Sequence, residues 1–249
     1  MSTHHPGRVV WHELVTQDVE RAKGFYGEVF GWRITDEDMG GHPYHFLFGP
    51  EESPLGAMVQ AQPQVPDHWL SYVSVADVDL AAERAEALGG TVVAPPTDIP
   101  VGRFTVIVDP QGATIAAFRA REGDPAEVER PGPKTFCWDH LNTTDVDGAL
   151  GFHREVFGWS AEPFGEDPSS RVLSAGGRQR ASLSAAPAGS PAAWLTHVVV
   201  DDLERANATA TRLGGSVMMP GQDVPGIGRF SVIVDPAGAP IAPFVPAAT

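Results

Sequence analysis

Residues 11–32, WHELVTQDVERAKGFYGEVFGW, decide the reading of this chain, because residues 138–159 repeat them as WDHLNTTDVDGALGFHREVFGW at a constant offset of 127. Self-similarity at a fixed long period is the mark of a duplicated unit, so it is read before any single residue. Each copy reads as a strand, a helix opened by an aspartate (Asp18, Asp145) and a second strand entered through Gly-Trp. Aspartate suits a helix start because its carboxylate accepts an otherwise orphaned first-turn N–H. Val19, Ala22, Phe25 or Tyr26, Val29 and Phe30 then fall on one helical face, and Gly31 stands where a left-handed residue ends the helix.

Outward from this stretch, strands are expected at 9–16, 32–35, 44–48 and 55–62, with a Gly-Gly turn at 40–41. The pattern restarts at 69–75. A helix follows, capped at Asp77 or Asp79 and stopped by Gly89-Gly90, then strands at 91–94, 104–108 and 114–118. One domain, residues 1–121, is therefore strand-helix-strand-strand-strand, twice. Residues 122–134, EGDPAEVERPGPK, carry charge, Pro and Gly without apolar periodicity and read as a linker. Residues 135–249 repeat the whole plan, and all six tryptophans fall into repeat pairs at 11/138, 32/159 and 69/194.

A 42% hydrophobic content excludes a disordered chain, and each half is long enough to bury its own core. The net charge is −15 with no Lys/Arg cluster, so neither nucleic acid nor an anionic membrane is an expected partner. No apolar run approaches a membrane span, and the start MSTHHPGR lacks a signal-peptide apolar region. The single cysteine, Cys137, cannot form an internal disulfide, which points to the cytoplasm; its alternation away from Trp138 makes it a buried core thiol.

Asp18 with FYGEVFGW, the strand-Asp-helix-LGG units ending at Gly90 and Gly215, and the DPxGA turns at 109–113 and 235–239 resemble the vicinal oxygen chelate superfamily of glyoxalase I, bleomycin-resistance proteins and extradiol dioxygenases. The resemblance implies an α+β fold in which tandem paired βαβββ modules form two curved, cup-like mixed sheets with helices on the convex face. It also implies a divalent metal held by His or Gln on a first strand and Glu on a last strand. Alignment on the helix caps and on the DPxG turns places those ligands at Trp11 and Trp138, at Leu70 and Leu195, and at Ala116 and Ala242. None of these side chains offers a lone pair to such a cation. The expectation is a metal-free and cofactor-free member.

Strand alternation places Val9, Glu13 and Val15 on the cup side with Trp11, and Val10, His12 and Leu14 beneath the helix. Leu70, Tyr72 and Ser74, then Thr114, Ala116 and Phe118, complete the first cup. The second cup takes Trp138, His140, Asn142, Leu195, His197, Val199, Pro240, Ala242 and Phe244. Aromatic walls with a few polar groups suit a small molecule, and Ala in place of Glu leaves room for a planar one. Arg103 and Arg229 follow Gly-containing loops at the expected mouths, where each either clamps an anionic ligand or pairs with an acid such as Asp98 or Asp223. The facing of Tyr44 and His45 is open.

Three functions compete. The first is a metal-independent protein binding a small aromatic or polycyclic metabolite or antibiotic, for sequestration or as an accessory to its metabolism. The second is a cofactor-independent isomerase, lyase or hydroxylase-like tailoring enzyme, with Glu13 and Tyr72, or His140 and His197, as acid-base groups. The third is a metal-dependent lyase or dioxygenase whose ligands lie off register among Glu13, His45, His140 and His197. A homodimer is compatible with all three, since modules can pair within or between chains.

Overall fold

The computed structural model describes residues 3–39, 41 and 43–247; Gly40 of the expected Gly-Gly turn lies outside them. Four βαβββ modules follow one another. The first is β1 (Val9–Thr16), α1 (Val19–Val29), β2 (Arg33–Asp38), β3 (Pro43–Phe48) and β4 (Gly56–Gln60). The second is β5 (His68–Ser74), α2 (Val78–Ala87), β6 (Thr91–Ile99), β7 (Gly102–Val108) and β8 (Thr114–Ala120). The third is β9 (Phe136–Thr143), α3 (Val146–Phe157), β10 (Ser160–Pro163), β11 (Arg171–Ala175) and β12 (Arg178–Ala185). The fourth is β13 (Ala193–Val199), α4 (Leu203–Arg212), β14 (Ser216–Val224), β15 (Gly228–Val234) and β16 (Pro240–Pro246). They make two eight-stranded sheets, ordered β2-β3-β4-β1-β5-β8-β7-β6 and β10-β11-β12-β9-β13-β16-β15-β14. Within each module the first strand runs parallel to the last, and the hairpins are antiparallel. The fold is therefore α+β with mixed sheets.

Each helix begins where an aspartate accepts a first-turn N–H: Asp18 from Arg21, Asp77 from Leu80, Asp145 from Gly148 and Asp202 from Arg205. Asp77, and not Asp79, is thus the cap of α2. Asp79 instead pairs with Arg103.

Packing divides the chain differently from the repeat. Unit 1 comprises the chain up to Trp11, Leu70–Glu127 and Asp139–Trp194, and unit 2 comprises His12–Trp69, Val128–Trp138 and the chain from Leu195. Unit 1 thus joins the second and third modules and buries Val73, Ile107, Ile115, Leu141, Phe152, Trp159 and Leu183 in one core under α2 and α3. Unit 2 joins the first and fourth modules and buries Leu14, Phe25, Tyr26, Trp32, Met58, Val198 and Ile233 under α1 and α4. The second glycine of each LGG permits this pairing. A Cβ on Gly90 would stand 2.9 Å from the Phe152 ring, and one on Gly215 would stand 2.8 Å from the Phe25 ring. Both rings come from the other half of the sequence.

The Gly-Trp signature has a second task. Trp159 donates from Nε1 to the carbonyl of Gly7 (2.7 Å), and Trp32 donates to the carbonyl of Lys134 (2.8 Å). Gly7 and Lys134 are repeat equivalents, and both have left-handed backbones, with φ of 87° and 69°. Only one of them is glycine. Left-handed backbone costs a side-chain-bearing residue about 1 kcal/mol, so Lys134→Gly should stabilise the protein by that order, seen as a higher urea midpoint at unchanged slope.

Part of the segment read as a linker is held in unit 1 by side chains, although it forms no helix or strand. Asp124 accepts from the backbone N–H of His5 and from Ser74 Oγ, while Arg8 donates to the carbonyls of Pro125 and Ala126. Glu127 receives Arg180 (2.5 Å). Burial pushes the Glu127 carboxyl up, but Arg180, Arg178 and Arg8 outweigh it and its pKa is lowered. Val9 also departs from expectation, packing against the helix-side core of unit 1 instead of standing beside Trp11.

Candidate functional site

On the sheet face opposite its helix-side core, unit 1 carries a second, smaller apolar cluster. Leu70, Tyr72 and Ala116 are buried there, with Trp11, Phe104, Val106 and Phe118 packed against them half-buried. The register explains the grouping. Tyr72 lies opposite Ala116 across β5–β8, Phe118 opposite Phe104 across β7–β8, and Val106 opposite Ala116. The Tyr72 ring lies 6.2 Å from both Phe104 and Phe118, edge-on to the latter. Trp11, Leu70, Tyr72, Ala116 and Phe118 were all legible from strand alternation. Phe104 and Val106 were missed, though the alternation within RFTVIV holds the signal. Ser74 lies opposite Phe118 across β5–β8, and its hydroxyl donates to Asp124.

Glu13 belongs to unit 2, where it is 9% exposed and accepts the hydroxyl of Tyr44 at 2.7 Å. The short, charge-assisted bond accounts for a carboxylate that burial alone would penalise. Tyr44 stacks edge-on against Phe46. His45 projects the other way. Its Nδ1 lies 2.8 Å from Asp36, which Lys23 also bonds; those two groups hold the Asp36 carboxyl below its usual range.

The residues of unit 2 that repeat those positions are Trp138, Leu195, His197, Ala242 and Phe244. His197 lies opposite Ala242 across β13–β16, and Phe244 lies opposite Phe230 across β15–β16. Here His197 takes the place of Tyr72, and its ring meets Phe230 edge-on at 5.3 Å. His140 and Asn142 lie in unit 1, on β9. The two nitrogens of His140 are engaged by Ser182 Oγ (2.8 Å) and Ser184 Oγ (3.0 Å). Cys137 is half-buried, with Sγ 3.5 Å from the carbonyl of His197, so the expected fully buried thiol is corrected to a partly accessible one.

Arg103 is gripped by Asp79 through two bonds of 2.8 Å and by Asp98 at 2.9 Å. Arg229 meets Glu204 at 2.9 Å and Asp223 at 3.7 Å beside a cleft of about 360 Å³ lined in part by Val224, Pro225 and Val245. Both cations are answered by carboxylates, the pairing reading of the two offered by the sequence. The guanidinium holds the Asp79 carboxyl below its ordinary range. A depressed carboxyl stabilises the fold above its unfolded pKa and loses that contribution as pH falls through the folded one. Followed by NMR, the Asp79 titration should move up towards the normal range in Arg103→Gln.

The metal implied by the fold does not fit these residues. Trp11, Leu70 and Ala116, and Trp138, Leu195 and Ala242, supply no ligand atom. Glu13 is bonded to Tyr44, and both nitrogens of His140 to serines. Among the described residues, no three His, Cys, Asp or Glu side chains come close enough together to hold a metal ion. No described helix is long and apolar enough to cross a membrane.

Tandem βαβββ modules, parallel first and last strands and DPxGA turns define a glyoxalase-type fold. Among solved structures, a Mn(II)-bound glyoxalase from Novosphingobium aromaticivorans is similar at TM-score 0.68 and 17% identity, over 97% of this chain and 82% of that one. The 2,3-dioxygenase LapB from Pseudomonas sp. KL28 is similar at TM-score 0.65 and 14% identity, over 99% and 94%. The chain belongs to the glyoxalase/bleomycin resistance protein/dioxygenase superfamily, which matches residues 7–117, with the glyoxalase-like domain family matching 135–242. "Putative glyoxylase CFP32" of Mycobacterium tuberculosis (strain CDC 1551 / Oshkosh) is 33% identical over 99% of this chain and 97% of its own length. The anthracycline biosynthesis protein DauV of Streptomyces sp. (strain C5) is 36% identical over 50% of this chain and 46% of its own.

Proposed function

We propose that this protein binds a small, planar polycyclic aromatic molecule, without a metal, against the aromatic face of unit 1. The observation that carries this is the cluster of Trp11, Tyr72, Phe104 and Phe118 around a floor of Leu70 and the fully buried Ala116. A fold of this class would seat a carboxylate and a metal in this region. Here a methyl group and an indole take their places, which lowers the floor and widens the apolar surface for stacking. Two relatives named for anthracycline biosynthesis, DauV and DnrV, support a polycyclic ligand. Binding serves either sequestration of the compound or an accessory step in its metabolism.

Titration of the intrinsic tryptophan fluorescence with planar polycyclic quinones tests this reading. Saturable quenching carried by Trp11 is expected; a folded protein that no member of the panel quenches would sink it. Elemental analysis of untagged protein tests the metal-independent part, which stoichiometric, tightly held metal would overturn.

The Glu13–Tyr44 bond favours a second reading as a tailoring enzyme, in which this carboxylate moves a proton on a compound held in unit 2. Glu13→Gln should then leave binding intact and remove turnover of that compound.

A further inference from the structure

The two first-strand faces can be compared position by position. In the first module, Glu13 lies opposite Ala57 and Val15 opposite Val59. In the third, His140 lies opposite Ser182 and Asn142 opposite Ser184. The residues between them, on the opposite face, stay apolar in both copies: Leu14 with Met58, Leu141 with Leu183. The helix-side face is therefore retained, whereas all four positions of the outer face differ together. Packing alone does not demand this, since the first module fills the same four places with Glu, Ala and two Val.

The resulting group has the geometry of an activated nucleophile. Ser184 Oγ lies 3.0 Å from Nε2 of His140, and the other ring nitrogen, Nδ1, lies 2.8 Å from Ser182 Oγ. A hydroxyl within hydrogen-bond reach of an imidazole that a third group orients is the arrangement that raises a serine to a nucleophile. Ser182 is 8% exposed and sits as the deeper partner, while Ser184, His140 and Asn142 are half-buried and accessible from the same side. Asn142 projects from that face directly across from Ser184, where an amide N–H can meet charge developing on a carbonyl oxygen.

We propose that Ser184, His140 and Asn142 on the β9–β12 face form an acyl-transfer site for small activated esters, with Ser182 as a positioning residue. With the ring proton on Nδ1, donated to Ser182, the Nε2 lone pair faces the Ser184 hydroxyl. Ser184 Oγ attacks the ester carbonyl carbon and passes its proton to Nε2. The carbonyl π electrons move onto the oxygen, which the Asn142 amide receives. When they return, the bond to the leaving oxygen breaks, and that oxygen takes the proton from Nε2. Water then attacks the acyl-Ser184 with His140 again as base, releasing the acid and restoring the hydroxyl. Ester and water become acid and alcohol, with no other reactant. A hydroxyl behind the imidazole stabilises imidazolium less than a carboxylate would, so good leaving groups such as phenols are the matching class.

p-Nitrophenyl acetate supplies the test. The wild-type protein should release a burst of nitrophenolate approaching one per chain and carry an acetyl group on the peptide containing Ser184. Ser184→Ala should lose both, and Ser184→Cys, of nearly the same shape, should regain the adduct on its thiol. His140→Gln should slow acetylation by about 10²–10⁴-fold and Asn142→Ala by about 10²–10³-fold, each at unchanged circular dichroism. Ser182→Ala should displace the single deprotonation seen in the pH profile of acetylation, and Ser182→Thr should restore it; a purely structural serine would alter only the melting temperature. Acetylation of Ser184→Ala at the wild-type rate, an adduct on another residue, or no adduct on folded wild type would each overturn the proposal.

Discussion

Tyr26→Phe should lower the stability of the protein by about 3 kcal/mol and its melting temperature by roughly 10 °C, from the loss of a single oxygen atom. The Tyr26 hydroxyl is wholly buried, donates to Asp235 Oδ2 at 3.0 Å and accepts from Trp69 Nε1 at 3.1 Å. Burial first, and the nearby Asp235 second, push its pKa well above the ordinary tyrosine value, so it remains a neutral donor. Without the hydroxyl, one buried N–H and one buried carboxylate oxygen lose their partners, each at about 1–3 kcal/mol.

The repeat contains its own control. The equivalent residues in unit 1 are His153, Asp109 and Trp194. There Nε2 of His153 is 3.5 Å from Asp109 Oδ2, and both ring nitrogens, that oxygen and Trp194 Nε1 lack hydrogen-bond partners among the described residues. His153 is 0% exposed and enclosed by Phe152, Phe157, Trp159 and Trp194. His153→Tyr should therefore raise stability by about 1–2 kcal/mol, since it supplies the bridging hydroxyl that unit 2 already has. A calorimetric scan of both variants decides the matter. A destabilised His153→Tyr would mean that the two sites are not interchangeable.

Trp11→Ala should weaken binding of a planar polycyclic ligand by about 100-fold or more, the range expected when a stacking aromatic anchor is removed. Ala116→Glu should have an equal effect by a different route. It would place the family's carboxylate on a floor that is 0% exposed, among Leu70, Tyr72 and Phe118 and with no described cation in the cluster to receive it. Isothermal titration of both variants, with melting temperatures taken alongside, separates loss of the surface from loss of the fold. Retention of wild-type affinity in Trp11→Ala would remove the aromatic face of unit 1 from consideration as the ligand site.

Much of the fold was legible in residues 11–32 and their copy. Helix caps at Asp18 and Asp145 are local events, in which a carboxylate meets an N–H three residues on, and local spacing reveals them. Strand alternation was as informative, placing Trp11, Leu70, Tyr72, Ala116 and Phe118 on one face. It was less informative at the start of β1, where Val9 turns to the helix-side core. Tyr44 could not be tied to Glu13 from sequence, because a short strand after a turn has no pattern long enough to fix its register.

Duplication, module plan, helix caps and the absence of ligand atoms at Trp11, Trp138, Ala116 and Ala242 are properties of order and spacing, and the sequence by itself determined them. Only the tertiary structure decided which modules share a core. The repeat joins the first module to the second, yet buried side chains join the first to the fourth and the second to the third. The physical reason lies in contacts that no local period encodes. Gly90 admits the ring of Phe152, Gly215 admits that of Phe25, and a phenol at position 26 finds its carboxylate at position 235.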